Sequence, residues 1–421
     1  MKNRTAWSWI PSLYFAEGLP YVAVMTISAL MYKRLNISNT DLALYTSWLY
    51  LPWVIKPFWS PFVDLIKTKR WWICSMQLLI GVGMAGIAFT IPTGFFLQSS
   101  LAFFWLMAFS SATHDIAADG FYMLGLSTDR QAFFIGIRNT FYRIAMVTGQ
   151  GLLVMLAGFL ETRTGRVPFA WSMIFFVLAG IFVAAAAWHR FVLPLPEEDR
   201  ARTGVTARSI LRNFGKTFAD FFRKKGLAPA LLFMLSYRLG ESQLVKLASP
   251  FLLDAREKGG LALSTAEVGV AYGTVGVVAL MLGGILGGIA IARSGGLKRW
   301  LWPMALSLFI PNLAYLYMAC AQPDNLLVIN ACVGFEQFGY GFGFTAYTMY
   351  LMLFSDGAYK TSHYSICTGF MALGMMLPGM ASGWIQEMIG YPSFFVWVLF
   401  SGIPVFLVIP FLNLKDKPVG Q

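Results

Sequence analysis

Twelve stretches of this sequence are too apolar to leave in water and mostly too long for the core helices of a small soluble domain. They run roughly over 7–31, 42–66, 71–93, 98–125, 132–160, 168–192, 228–253, 265–292, 300–320, 325–353, 361–388 and 392–413. A helix rises about 1.5 Å per residue, so a run of ~20 apolar residues crosses the ~30 Å hydrocarbon layer of a bilayer. Backbone amides and carbonyls find no water there, which leaves the helix as the form for such a run. With 57% of residues hydrophobic and 12% charged, the chain carries about half the charge of an ordinary soluble domain. The expected fold class is an all-α polytopic membrane protein with twelve transmembrane helices.

A formal net charge of +12 could point to nucleic acid, but the placement of the charges gives a different reason. If both termini are cytoplasmic, 21 of the 32 Lys and Arg fall on the inner side and 6 in the outer loops. That asymmetry is the positive-inside bias and predicts a multi-pass membrane protein with both termini inside. Lys2 and Arg4 before an apolar run imitate a secretory leader, yet Glu17 and Pro20 interrupt the run, so it is expected to stay as the first span. Cys74, Cys320, Cys332 and Cys367 lie in or at the ends of spans without paired spacing. Small core residues, rather than a disulfide framework or a zinc site, are expected there.

The least hydrophobic region, 193–227, divides the chain into an N-terminal six-helix bundle (1–192) and a C-terminal six-helix bundle with a short cytoplasmic tail (228–421). Within this cytoplasmic linker Leu211, Phe214, Phe218 and Phe221 recur at helical spacing opposite Arg208, Arg212, Lys216 and Arg223, which predicts an amphipathic helix on the inner leaflet. The halves repeat. A shift of 225 places Gly149 on Gly374, Gly158 on Gly383, Gly165 on Gly390 and Phe169 on Phe394. Ser38 with Asp41, and Ser264 with Glu267, have the spacing of capping boxes at the starts of the second and eighth spans.

Charges inside the spans are conspicuous, because an ionised side chain at mid-bilayer costs at least ~2.5–3.5 kcal/mol and needs a cavity or a partner. The acids are Glu17, Asp64, Asp115, Asp119, Glu241 and Glu336; the bases are Lys56, Arg138, Arg143, Arg238 and Lys246. Near balance predicts pairing for most of them. Asp115 and Asp119 share a helix face, where two carboxylates perturb one another and one becomes able to exchange a proton; structural pairing is the rival reading. Arg138 and Arg143 point about 140° apart, so one is expected to neutralise an acid of the fourth span and the other to face a cavity. Arg238 and Glu241 are placed to pair. Glu336 and Gln337 precede Phe338, Gly339, Tyr340, Gly341, Phe342 and Gly343, a run poor for a regular helix. It suits either ligand approach with rings stacking on sugars or close packing. His114 with Asp119 fits a short acyltransferase pattern, but the two point in different directions at membrane depth. No metal-ligand spacing, no cofactor motif and no Gly-x4-Gly-Lys-Ser/Thr phosphate loop is present, so a transporter energised without direct nucleotide hydrolysis is expected rather than an enzyme.

The 6+6 parallel repeat resembles the plan of the major facilitator superfamily, in which substrate sits near mid-membrane. Its loop signature, Gly-x-x-x-Asp followed by basic residues, is approximated by Ser60 and Asp64 before Lys67, Lys69 and Arg70, and by Gly288 and Ala292 before Arg293, Lys298 and Arg299. Phe15 to Pro20, Lys56 to Pro61 with Asp64, Asp115 with Asp119, Tyr142 with Arg143, Tyr237 to Gly240, and Phe335 with Glu336 together resemble the muropeptide permease (AmpG-like) family. The resemblance implies a secondary transporter of the bacterial inner membrane that imports peptidoglycan-derived anhydromuropeptides or related saccharides by proton symport, and a monomer is expected. The alternative cargo is another anionic metabolite, an acetyl-CoA-like molecule or a sugar phosphate. The residues expected to serve proton coupling are Asp115, Asp119 and Glu17. Lys56, Arg143, Arg238, Glu336, Gln337, Tyr340 and Tyr347 are expected to meet substrate, and Asp64, Arg138 and Arg293 to gate. Glu17 and Arg238 depart from the family pattern, which puts the cargo more in doubt than the fold.

Overall fold

The computed structural model describes residues 3–126, 128–195, 199, 207–293, 296–356 and 360–414. Every regular element among them is helical, and each predicted span is found. The first comprises α1 (Asn3–Val22), a π-helical stretch (Ala23–Ile27) and α2 (Ser28–Arg34). The second is divided into α3 (Asn39–Trp48) and α4 (Leu51–Ile66). Spans three and four are α5 (Lys69–Thr90) and α6 (Phe96–Gly125). The fifth runs through α7 (Thr128–Met146), a π-helical stretch (Val147–Leu153) and α8 (Val154–Thr164), and the sixth is α9 (Val167–Val192).

After the linker helix α10 (Ala207–Phe222), the seventh span is divided into α11 (Leu227–Ser236) and α12 (Leu239–Leu253). The eighth comprises α13 (Thr265–Val268), a π-helical stretch (Gly269–Gly276) and α14 (Val277–Arg293). The ninth is α15 (Leu297–Phe309) with α16 (Leu313–Ala321), and the tenth α17 (Leu326–Phe354). The last two spans run through α18 (Lys360–Ser401), which breaks at Gly390, and on into α19 (Pro404–Val408). Eight stretches among the described residues are long and apolar enough to cross a membrane by length and composition, the final one holding both terminal spans. The second, seventh and tenth spans complete the twelve. Two of these are divided helices, and the third carries Glu336, Gln337 and four glycines.

The repeat is visible in the backbone. Gly165 (φ 65°) and Gly390 (φ 74°), matched by the 225-residue shift, both have a positive φ at the end of the fifth span of their half. A side chain is strained there and glycine is not. Both helices start at the predicted N-cap serines, and the full box is seen at the second. Ser38 Oγ accepts from the Asp41 amide at 3.0 Å, and Ser264 with Glu267 forms the full reciprocal box.

Residues Met1–Leu35 with Ile55–Ile210 form one compact unit, and Asn36–Val54 with Leu211–Gln421 form the other. The helix α3 therefore groups with the second unit, where it packs against α12 and α18. The C-terminal part of the apolar stripe of α10, expected on the lipid surface, is taken up by the protein: Phe221 is buried in the core of the second unit and Phe218 packs against that core. Arg212 and Lys216 remain exposed. The run from Phe338 to Gly343, expected to be a poor helix, is continuous within α17. The reason is packing. A Cβ at Gly341 would collide with the Leu280 carbonyl of α14, and one at Gly339 with the Ser307 carbonyl of α15, so bare glycine backbone lets these helices approach.

Candidate functional site

Each unit holds its own cluster of intramembrane charges. In the first unit, Glu17 comes from α1, Lys56 from α4, Asp115 and Asp119 from α6, and Arg138 and Arg143 from α7. The four-residue spacing brings both aspartates to one side of α6, where each finds a different cation. Lys56 Nζ lies 3.8 Å from Asp115 Oδ2, and Arg138 Nη2 donates to Asp119 Oδ1 at 2.8 Å. The guanidinium of Arg138 sits 4.3 Å from the ring centre of Tyr14 and 5.2 Å from that of Tyr122, so two aromatic faces hold its charge while the carboxylate takes its hydrogen bond. Tyr14 Oη also donates to Asp119 Oδ1, at 3.5 Å. Trp59 Nε1 donates to Thr113 Oγ1 at 3.2 Å and ties α4 to α6.

Glu17 is buried, and its Oε2 has no hydrogen-bond partner among the described residues. Arg143 contacts Met146 Sδ at 3.6 Å and forms no ion pair among the described residues. The division of labour expected for the two arginines of the fifth span is thus present in part: Arg138 neutralises Asp119, and Arg143 does not.

His114 takes no part in this cluster. Its Nε2 meets Gln77 Nε2 at 3.0 Å, Gln77 Oε1 meets His189 Nδ1 at 2.9 Å, and His189 Nε2 meets Ser12 Oγ at 2.9 Å. This buried chain links α1, α5, α6 and α9, and it directs His114 away from Asp119. His114 and Asp119 are therefore not a bonded pair: His114 meets Gln77 and Asp119 meets Arg138.

In the second unit, Arg238 stands where α11 and α12 separate. Its Nε donates to Glu241 Oε2 at 2.8 Å and its Nη2 to Tyr340 Oη at 2.7 Å. The rings of Tyr340 and Phe344 lie 5.1 and 4.9 Å from its guanidinium carbon. Gln337 Nε2 donates to Glu336 Oε2 at 2.9 Å and reaches Tyr272 Oη at 3.4 Å. Glu336 and Glu241 are buried, and each keeps one carboxyl oxygen without a hydrogen-bond partner among the described residues. Tyr347 is seated in the core: it stacks on Tyr237 at 5.0 Å and donates to the Met234 carbonyl at 2.6 Å, which leaves it no free face for a ligand in this arrangement. Arg293 is exposed at the end of α14. The side chain of Asp64 lies outside the described residues.

Tyr14, Tyr122 and Tyr272 are the polar aromatics that the sequence reading passed over. For Tyr14 a signal existed, since it lies three residues before Glu17 and so on the same helix face. Tyr122 and Tyr272 become visible as partners only through contacts between helices. No group of three or more His, Cys, Asp or Glu able to hold a metal occurs among the described residues.

The Major Facilitator Superfamily pattern matches residues 12–356. A protein named putative transporter AmpG 4 from Rickettsia conorii is 25% identical over 421 residues, covering 96% of this chain and 95% of the relative. The anhydromuropeptide permease of Escherichia coli K12 is 24% identical over 399 residues, covering 93% of this chain and 76% of that protein. Among solved structures, the nucleoside transporter NupG superposes with a TM-score of 0.69 at 13% identity, covering 98% of this chain and 100% of that one. A D-xylose-proton symporter superposes at 0.68 and 11% identity, covering 99% and 98%. These distant structures share the fold. The chain belongs to the major facilitator superfamily, and it is a multi-pass membrane transporter of a small molecule rather than an enzyme.

Proposed function

We propose that this protein imports peptidoglycan-derived anhydromuropeptides, or closely related saccharides, across a bacterial inner membrane by proton symport and alternating access, with both termini in the cytoplasm. The observation that carries the reading is the pair of cross-helix ion pairs on α6, Asp115 with Lys56 and Asp119 with Arg138. Asp119 keeps 42% of its side chain exposed although its partner is 2.8 Å away. A carboxylate paired across two helices can release its cation when the helices move, which is what coupling requires. Glu17 supplies a third carboxyl on the facing helix α1, and Tyr14 spans the two by accompanying Glu17 on α1 and donating to Asp119. Lys56, Arg143 and Arg238 are the cations proposed to meet an anionic cargo, with Glu336, Gln337 and Tyr340 offering hydrogen bonds and a ring for sugars. Asp64 and Arg293, at the ends of their helices, are proposed to gate, together with Arg138. The names of the AmpG-type relatives support the choice of cargo.

The test is uptake of labelled anhydromuropeptide into proteoliposomes, with and without an inward proton gradient, for wild type and Asp119→Asn. Gradient-driven accumulation in wild type that disappears in the variant is the expected result. Accumulation retained in Asp119→Asn moves the coupling role to Asp115 or Glu17. Wild-type vesicles that accumulate nothing refute the cargo; competition with acetyl-CoA-like molecules and sugar phosphates then examines the alternative anions.

A further inference from the structure

One buried cation of the second unit has no use in the clusters above. Lys246 lies on α12 at 2% exposure, and its ammonium donates one hydrogen bond, to Thr46 Oγ1 at 3.1 Å. The Tyr50 ring lies 5.0 Å away. Among the described residues it has no ion pair, and the neighbouring helices explain why. The acids on the elements packed against α12 are all engaged elsewhere. Glu241 on α12 itself is bound to Arg238, and Asp41 on α3 accepts from the Ser38 hydroxyl. Glu387 on α18 accepts from Thr40, and Glu267 on α13 caps Ser264. Asp254, at the end of α12, accepts from Tyr391 and Asn39. The sequence of α15 contains no acid.

Beside Lys246 lies a second unsatisfied group. Ser47 is fully buried and its hydroxyl has no hydrogen-bond partner among the described residues. Both converge on Gly379 of α18: a Cβ there would stand 2.8 Å from Ser47 Oγ and 3.4 Å from Lys246 Cγ. Thr46 Oγ1 gives its own hydrogen to the Leu42 carbonyl at 2.7 Å, so towards Lys246 it acts as an acceptor. The donors left over are the remaining N–H groups of the ammonium and the Ser47 hydroxyl. That set matches one carboxylate with its two oxygens; a phosphate dianion asks for more donors and more charge.

We propose that Lys246, with Ser47, is a carboxylate subsite held closed by α3, and that it receives a carboxylate of the transported molecule when α3 parts from α12 and α18. The hinge is in place: α3 and α4 are separate helices, divided at Leu49 and Tyr50 and followed by Pro52. A buried ammonium without a counter-charge is costly, so an incoming carboxylate that completes it gains a charge-assisted bond and discriminates against an uncharged analogue. This subsite rests on the transport reading for the identity of the cargo, and its test separates the two.

The labelled anhydromuropeptide is offered to proteoliposomes with its stem-peptide carboxylates free or converted to carboxamides. Wild type is expected to show a KM about 10-fold or more lower for the free carboxylate form. Lys246→Gln is expected to treat both forms alike, while Lys246→Arg restores the preference. A Lys246→Gln protein that keeps the preference, or a wild type that has none, overturns the subsite. If wild type takes up neither form, the proposed cargo fails and a second measurement decides Lys246 without transport. The unfolding midpoint of the purified protein in acetate is compared with that in chloride at equal ionic strength. A rise in wild type that Lys246→Gln lacks supports the subsite, and equal responses overturn it.

Discussion

The two units solve the problem of intramembrane charge in different ways. In the first, every cited pair joins different helices: α4 to α6 through Lys56 and Asp115, and α6 to α7 through Asp119 and Arg138. The partners keep 16–42% of their side chains exposed. In the second, Arg238 and Glu241 are three residues apart on neighbouring turns, with side chains 9% and 1% exposed. A local, buried pair is made as soon as its helix forms and is expensive to separate. A cross-helix, half-exposed pair depends on how helices are set against each other, and water softens the loss when it opens. The comparison assigns movable charge to the first unit and fixed charge to the second.

The largest expected effect breaks the fixed pair. Glu241→Gln leaves Arg238 buried without its carboxylate, and the unfolding midpoint in detergent should fall by the equivalent of about 3–5 kcal/mol; a fall under about 1 kcal/mol would show that water already reaches this pair. Tyr340→Phe removes one hydrogen bond to the Arg238 guanidinium and keeps the ring, so about 1.5–3 kcal/mol should be lost, with the fold retained. A double-mutant cycle on Asp119→Asn and Arg138→Gln should give a coupling of only about 0.5–1 kcal/mol, because both partners are partly exposed. Coupling as strong as a buried pair would erase the contrast between the units. The smallest effect is expected for Lys56→Gln with Asp115→Asn: at 3.8 Å the charges attract without a hydrogen bond, and their stability coupling should stay under about 0.5 kcal/mol. For both of the weaker pairs, transport should suffer far more than stability.

Much of the site was legible as a list of residues and little of it as a set of partners. Asp115 and Asp119 stand out because charge inside an apolar span is costly, and Arg238 with Glu241 could be paired on helical spacing alone. Whether Arg138 or Arg143 would take Asp119 was open, since helix rotation decides it. Tyr347, expected to meet substrate, instead fills the core through Tyr237 and Met234. The glycines of α17 permitted two readings, and only the proximity of α14 and α15 selected close packing.

By itself the sequence determined the twelve spans, the six-and-six repeat with its matched Gly165 and Gly390, and the helix starts at Ser38 and Ser264. Each of these depends on hydrophobicity, backbone preference or capping within a few residues of chain. Tertiary structure alone decided the grouping of α3 with α12 and α18, the docking of α10 on the second unit, the buried chain from Ser12 to His114, and the isolation of Lys246. Those outcomes depend on contacts between residues as far apart as 352 positions, such as Asn39 and Tyr391. Local periodicity carries no record of such contacts, because a helix can turn any of its faces towards a neighbour until packing fixes one.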